Sequence, residues 1–264
     1  MHPIDPFGLA KSRIINSIKR NKANPDYLAS TTLIKLIFGD KNILSFELSG
    51  NEVSVNSINI DDLKDYYGKY FSPSTAKLLI VGNVTRKEAE TAFAELSNKW
   101  LPKEVTIPQI TIPEAPEKSV IYFVDVPGAK QSVINIGTPS LPRTSPDFYA
   151  ATVANYKLGG SFNGIFNLIL REEKGFTYGA RSNFSGYRNI GTFSASSMVR
   201  TNSTLESVTI FKTEMEKYRE KIPQEYVDFT KSSLLKSNTR NFETIGNLIN
   251  MLNIIASYDL PVDY

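Results

Sequence analysis

Apolar residues recur at helical spacing in the first forty positions of the chain. If residues 9–21 are helical, Leu9, Ile14, Ile15 and Ile18 fall near one another, with Lys and Arg elsewhere. Pro25 interrupts this pattern. Tyr27, Leu28, Thr31, Leu33, Ile34 and Ile37 then predict a second helix, which Gly39 and Asp40 end. Residues 43–58 are ambiguous. Phe46 and Leu48, then Val53 and Val55, alternate as in a strand, but Gly50-Asn51 and the many Ser and Asn suggest loop. Asp61 to Phe71 predicts a helix with an aromatic stripe at Tyr66, Tyr67 and Tyr70, a pattern that points to core packing before a binding platform. Pro73 follows it. Lys77 to Gly82 is a short continuous apolar run, the mark of a buried strand. Thr85-Arg-Lys-Glu88 is a capping box, because hydroxyl and carboxylate can each satisfy a free backbone N–H at a helix start. The helix it opens carries Ala89, Ala92, Phe93 and Leu96 on one face.

Pro102, Pro108, Pro113 and Pro116 follow in close succession. Proline removes a backbone donor and disfavours helix and interior strand, so residues 102–117 are expected to link two lobes. The second lobe is expected to open with strands at Val120–Val126 and Ser132–Gly137. A loop with Pro139, Pro142 and Pro146 leads to a helix near Asp147 to Leu158, which Gly159-Gly160 should break. A helix is expected from about Phe162 to Lys174, then a hairpin of Phe176–Tyr187 and Gly191–Arg200. Ser203-Thr-Leu-Glu206 reads as a second capping box, opening a helix with Leu205, Val208, Phe211, Met215, Tyr218 and Ile222. Pro223 suits the start of the next helix, with Tyr226, Phe229 and Leu234 inward. A last apolar helix covers about Thr244 to Ser257. Helices and strands grouped in this way favour an α+β fold over a regular parallel sheet.

Composition narrows the chemistry. The 264 residues include one histidine, His2, and no cysteine. A zinc site usually takes three or four nitrogen or sulfur ligands, a thiol nucleophile needs cysteine, and a serine triad needs a histidine base. His2 is read as an inert terminal residue. The net charge of +3 is too small to indicate nucleic acid as a partner. The basic run Lys11, Arg13, Lys19, Arg20, Lys22 is read as a solvated helix face. No apolar run approaches the ~18 residues needed to span a membrane.

Three local features are candidates for chemistry. Gly159-Gly160-Ser161-Phe162 is a glycine pair before a helix, which could cradle an anion but lacks a Walker lysine and the full dinucleotide fingerprint. As a bare motif it is a helix break. Leu170-Arg-Glu-Glu-Lys-Gly-Phe-Thr-Tyr178 is a charged helix end with Gly175 as cap, in which Arg171 would pair with a nearby carboxylate. Asp61, Asp62 and Asp65 could do acid–base work, but a solvated first helical turn accounts for them, since acids favour that end of the helix dipole.

Taken together, the Gly-Gly-Ser-Phe and Leu-Arg-Glu-Glu-Lys-Gly-Phe-Thr-Tyr segments resemble the signature of the pitrilysin/insulinase-like zinc metallopeptidase family. Ser57 to Pro73 followed by Leu78-Leu-Ile-Val-Gly-Asn-Val84 is similar to the end of that family's first lobe, and the resemblance covers nearly the whole chain. An active half in this family carries His-x-x-Glu-His on a helix, with a glutamate from a downstream helix as third zinc ligand. This chain has no such histidine motif. Its Arg13-Ile-Ile-Asn-Ser-Ile18 matches the downstream helix, and the ligand glutamate would fall at Ser17, whose neutral hydroxyl cannot serve as an anionic ligand.

The resemblance implies the non-catalytic half of such a peptidase, inactive alone and holding no cofactor, with zinc in the partner half. It implies a two-lobed α+β domain of antiparallel sheets packed on helices, with residues 1–101 as an incomplete first lobe, 102–117 as linker and 118–264 as a second lobe lacking its last strand and helix. Residues 43–58 become mostly loop. Arg171 and Tyr178 match the family's arginine and tyrosine, which reach across the chamber toward peptide substrate. Gly159, Gly160, Ser161, Phe162 and Thr177 would line the substrate side. The partners expected are the zinc-bearing half and an unfolded peptide, and the family suggests a bacterial periplasm or envelope. The alternative is a structural or peptide-binding member with no proteolytic role. A carboxylate-only metallopeptidase is disfavoured, because oxygen sites suit harder cations than zinc.

Overall fold

A computed structural model describes residues 5–264, so the expectation for His2 lies outside the described residues. The elements run in chain order: α1 (Pro6–Asn21), α2 (Pro25–Phe38), α3 (Glu52–Ser57), α4 (Ile60–Tyr70), α5 (Arg86–Lys99), β1 (Gln131–Ser140), α6 (Phe148–Asn155), α7 (Ile165–Asn167), β2 (Thr177–Gly186), β3 (Gly191–Arg200), α8 (Thr204–Glu220), α9 (Gln224–Asn238) and α10 (Ile245–Tyr258). The fold is α+β. The chain divides into two compact units, Met1–Val55 with Ile110–Ser233, and Asn56–Gln109 with Leu234–Tyr264. The proline-rich stretch runs across one of the points where the chain leaves one unit for the other.

In the first unit, Asp5 caps α1 by accepting from Phe7 N at 3.1 Å. Pro25 is the first residue of α2 and does not merely interrupt, since proline's missing N–H is unneeded there. Asn24 accepts from Asp26 N beside it, and Gly39 ends α2 at φ 80°. The ambiguous stretch after it holds a short turn at Ile43–Ser45 and α3, with no strand.

The sheet is antiparallel, in the order β1-β3-β2. Pro139 lies inside β1, opposite Thr192, and not in the loop expected for it. An edge strand tolerates proline because one side needs no donor. Along β3, Ala195, Ser197 and Val199 are buried and turn to the helices, following the two-residue period of a strand. Ala195 and Val199 join Ile134, Leu158, Ile165, Phe166, Leu170 and Phe211 in the main core. The Phe166 and Phe211 rings lie 4.6 Å apart and tilted, tying α7 to α8. On β1, Gly137 meets α2: an added Cβ would come within 2.9 Å of both Leu33 and Ile37 side chains.

The second unit corrects two expectations. Tyr66 and Tyr67 are 57% and 60% exposed, so the aromatic stripe of α4 is not core. Its rings pack on one another instead, Tyr66 on Tyr70 at 4.9 Å and Tyr67 on Phe71 at 5.0 Å. Residues 77–82 form no strand, because nothing among the described residues pairs with them. In the first unit the same holds for Val120–Val126, where Ile121 and Phe123 are 86% and 85% exposed. An apolar run becomes a strand only where a neighbour takes its backbone groups.

Capping gives one agreement and one correction. Thr85 and Glu88 form the expected box, Thr85 N donating to Glu88 Oε2 at 2.7 Å and Glu88 N to Thr85 Oγ1 at 3.2 Å. Ser203 makes no such bond. Glu206, the other half of that expected box, pairs with Lys174 at 2.9 Å, and this partner holds the Lys174 ammonium above its usual pKa.

Because the two rings share one contact, Phe166→Ala and Phe211→Ala should each cost about 3–5 kcal/mol. The double variant should cost less than the sum, since the second deletion removes a contact already lost. Urea denaturation of the three variants checks this.

Candidate functional site

The candidate residues sit between α6 and the first turn of β2. The helical path of α6 continues through Tyr156–Gly160 as a wider turn, so the glycine pair lies inside helical geometry and the chain leaves it at Ser161 (φ −132°). After the loop Ser161–Gly164, α7 begins at Ile165, later than expected, and a second wide turn spans Leu168–Glu173. There Lys174 N donates five residues back to Ile169 O at 2.9 Å. Wide turns of this kind are rare and cluster at functional sites. Gly175, at φ 61°, closes the segment, with Phe176 N donating to Leu170 O at 2.8 Å.

Gly159 exists because β2 passes against it. A Cβ there would collide with Ser182 Oγ and lie 2.6 Å from Ser182 N and 2.7 Å from Phe166 Cδ2. Two buried asparagines fasten the same contact. Asn155 Nδ2 donates to Ser182 O at 2.9 Å, and Ser182 Oγ returns a bond to Asn155 Oδ1 at 2.6 Å. Asn167 Oδ1 accepts from Ala180 N at 3.2 Å, while its Nδ2 holds Phe162 O at 2.8 Å. Sequence reasoning did not single out these residues. The available signal was an asparagine at an inward position of each apolar helix, which a buried amide justifies only with partners.

Tyr178 stands on a β-bulge. Thr177 pairs with Val199 and Ala180 with Ser197, so Tyr178 and Gly179 together face Met198. Bulges re-aim side chains, and Tyr178 is 92% exposed. The Thr177 hydroxyl holds the bulge: it donates to Met198 O at 2.7 Å and accepts from Gly179 N at 3.1 Å. That hydroxyl is therefore occupied within the protein.

Arg171 lies on the second wide turn, its guanidinium 4.6 Å from the centre of the Phe162 ring. Its contact with Glu172 is loose, Nε to Oε1 at 3.5 Å, with both side chains partly in water. A pair of that kind contributes little. Stacking uses the face of the guanidinium, whereas its five N–H donors lie at the edge. Phe162 is 66% exposed. Gly160 is exposed, and Ser161 Oγ is buried with no hydrogen-bond partner among the described residues. Phe162 and Arg171 thus form a cation–aromatic platform, and the turn that carries Arg171 packs against β2, which displays Tyr178.

The acidic trio does not converge. Asp62 Oδ2 accepts from Asn59 N at 2.7 Å to cap α4, and Asp61 pairs with Lys64 at 2.8 Å.

Residues 57–234 match the family model described as the peptidase M16 inactive domain. The chain belongs to that family.

The resemblance to the non-catalytic half of pitrilysin/insulinase-like peptidases is thereby borne out, as is the α+β fold. The chain is similar to "Non-peptidase homolog YmxG" of Helicobacter pylori, 24% identical over 262 residues, 96% of this chain and 58% of that protein. It is 25% identical over 181 residues to "Uncharacterized zinc protease YmxG" of Bacillus subtilis, 69% of this chain and 43% of the relative. The crystal structure of a peptidase M16 inactive domain from Pseudomonas fluorescens superposes with a TM-score of 0.90 at 25% identity, covering 99% of this chain and 62% of that one. The chain spans about half the length of the curated relatives it matches.

Among the described residues no three His, Cys, Asp or Glu are placed to hold a metal ion. Ser17, expected from the resemblance where a third ligand would fall, is half-buried within α1.

The Gly159 contact can be tested directly. Gly159→Ala should destabilise by about 1–3 kcal/mol, because the Ser182 N of β2, besides the Ser182 and Phe166 side chains, blocks the new methyl. Gly68, inside α4 with nothing within 4 Å of an added Cβ, is the control. Gly68→Ala should be stabilising by about 0.4–1 kcal/mol. Thermal midpoints of the two variants check the pair.

Proposed function

We propose that this chain is the non-catalytic half that completes an M16 zinc peptidase, with Arg171 and Tyr178 as hydrogen-bond donors to the peptide being cleaved. The observation that carries this reading is the pairing of a bulge-displayed tyrosine with an arginine held by a ring face. Neither arrangement is needed by the core.

Zinc chemistry belongs to the partner half in this reading. The work of this chain is binding and charge stabilisation. When water adds to a peptide carbonyl, negative charge builds on its oxygen. The edge donors of Arg171 and the phenol of Tyr178 can bond to that oxygen or to neighbouring substrate carbonyls. Donors fixed beforehand cost no reorganisation as the charge forms. The Phe162 stack and the Thr177 bulge do that fixing, with Gly159, Gly160 and Ser161 shaping the loop between them. The substrate is an unfolded peptide, and this chain binds no cofactor of its own.

A second reading has one observation in its favour: the Helicobacter pylori relative is described as a non-peptidase. In that reading the same platform binds peptide without cleavage.

Arg171→Ala and Tyr178→Phe distinguish them. Each should lower kcat of the two-half enzyme about 10²–10³-fold, the usual effect of losing one oxyanion donor. Both should leave circular dichroism and thermal midpoint unchanged, because neither side chain fills the core. Unaltered turnover in both variants would remove the donor role.

A further inference from the structure

The loop that carries Phe162 has three successive carbonyls, and each is held by a different donor. Ser161 O accepts from Gly164 N at 2.9 Å, Phe162 O from Asn167 Nδ2 at 2.8 Å and Asn163 O from Lys157 Nζ at 2.8 Å. The first two donors belong to the loop and to α7. The third does not. Lys157 lies on the wide turn before the loop, and its ammonium sits 4.5 Å from the Phe229 ring centre and 5.4 Å from that of Tyr226, both on α9. Those rings are braced in turn, Phe229 by Tyr156 at 6.2 Å and Tyr226 by Tyr218 at 6.3 Å. The Tyr218 hydroxyl donates to Ala154 O at 2.7 Å, back in α6. A cation between ring faces and a carbonyl keeps favourable contacts on several sides.

We propose that Lys157 is a positioning residue: by tying Asn163 to the rings of α9 it sets the loop that holds Phe162 against Arg171, and so governs peptide engagement at that platform. This rests on the function proposed above. The physical argument is a competition. Arg171 has two local partners, the Phe162 ring at 4.6 Å and Glu172 at 3.5 Å. Phe162 is largely exposed, so its place depends on the backbone beneath it. Freeing Asn163 O lets the loop shift, weakens the ring stack and moves Arg171 toward Glu172, which would occupy the donors a substrate carbonyl needs.

The test compares Lys157→Met, which keeps the stem but removes cation and donor, with Lys157→Arg, which restores both. Amide hydrogen exchange across residues 161–167 should be at least about fivefold faster in Lys157→Met, the loss expected for its cation–π contacts and one hydrogen bond. In Lys157→Arg it should return to within about twofold. Exchange in β3 is the internal reference and should not change. Phe229→Leu, which removes one ring by an independent route, should accelerate the same segment. With the zinc-bearing half added and fluorescein-labelled casein as substrate, Lys157→Met should lower kcat at least about threefold, in the direction of Arg171→Ala, and Lys157→Arg should restore it. Unchanged exchange in Lys157→Met, no recovery in Lys157→Arg, or equal acceleration in β3 would each overturn the proposal. A wild-type pair that lacks turnover while the exchange pattern holds would overturn the proposed function, leaving the tether intact.

Discussion

The close approach of Gly159 to Ser182 is the constraint on which the rest of the site depends. A methyl group at Gly159 would meet backbone on β2, so only glycine lets the end of α6 lie flat on the strand. The approach buries the polar groups of Asn155 and Ser182, which would be costly unless paired, and each satisfies the other. Once that contact is fixed, the loop after it must turn where it does. Asn167 then reaches both Ala180 N and Phe162 O, so strand and loop are registered by one side chain. The positions of Phe162, Arg171 and Tyr178 follow from this polar frame more than from the apolar core beside it.

Two kinds of side chain are separated across this region. Asn155, Asn167, Ser182 and Thr177 are turned inward and satisfied within the protein, and each holds backbone in an unusual path: a wide turn, a loop or a bulge. Phe162 and Tyr178 are turned outward, and Arg171 rests on one of them. Buried polar groups that are fully bonded make a rigid support, and rigid support is what donors need to act without rearranging.

Local signals read well where the physics is local. The Thr85–Glu88 box forms because both partners lie within one turn and nothing competes for them. The Ser203–Glu206 box has the same spacing but does not form, because Lys174 claims the carboxylate from another element. The hairpin of β2 and β3 was legible in the sequence, yet its bulge was not: Thr177 and Ser197 are ordinary strand residues until their hydroxyls are seen at Gly179 and Met198. The runs at 77–82 and 120–126 have strand composition, but pairing is a property of neighbours that a single stretch cannot reveal. The Tyr66, Tyr67 and Tyr70 stripe has helical spacing, and spacing alone does not say what faces it. Arg171 and Tyr178 were visible only through the family pattern, because nothing in their local sequence sets them apart from a helix end and a strand start.

The central claim is that this domain completes a peptidase whose metal lies in another half. Its most direct test is hydrolysis of an unfolded peptide, with zinc present, by this chain alone and then together with the zinc-bearing half. The account predicts no hydrolysis by the chain alone and clear turnover by the pair. Hydrolysis by the chain alone, or none from the pair when both halves are folded and the partner holds its zinc, would contradict it.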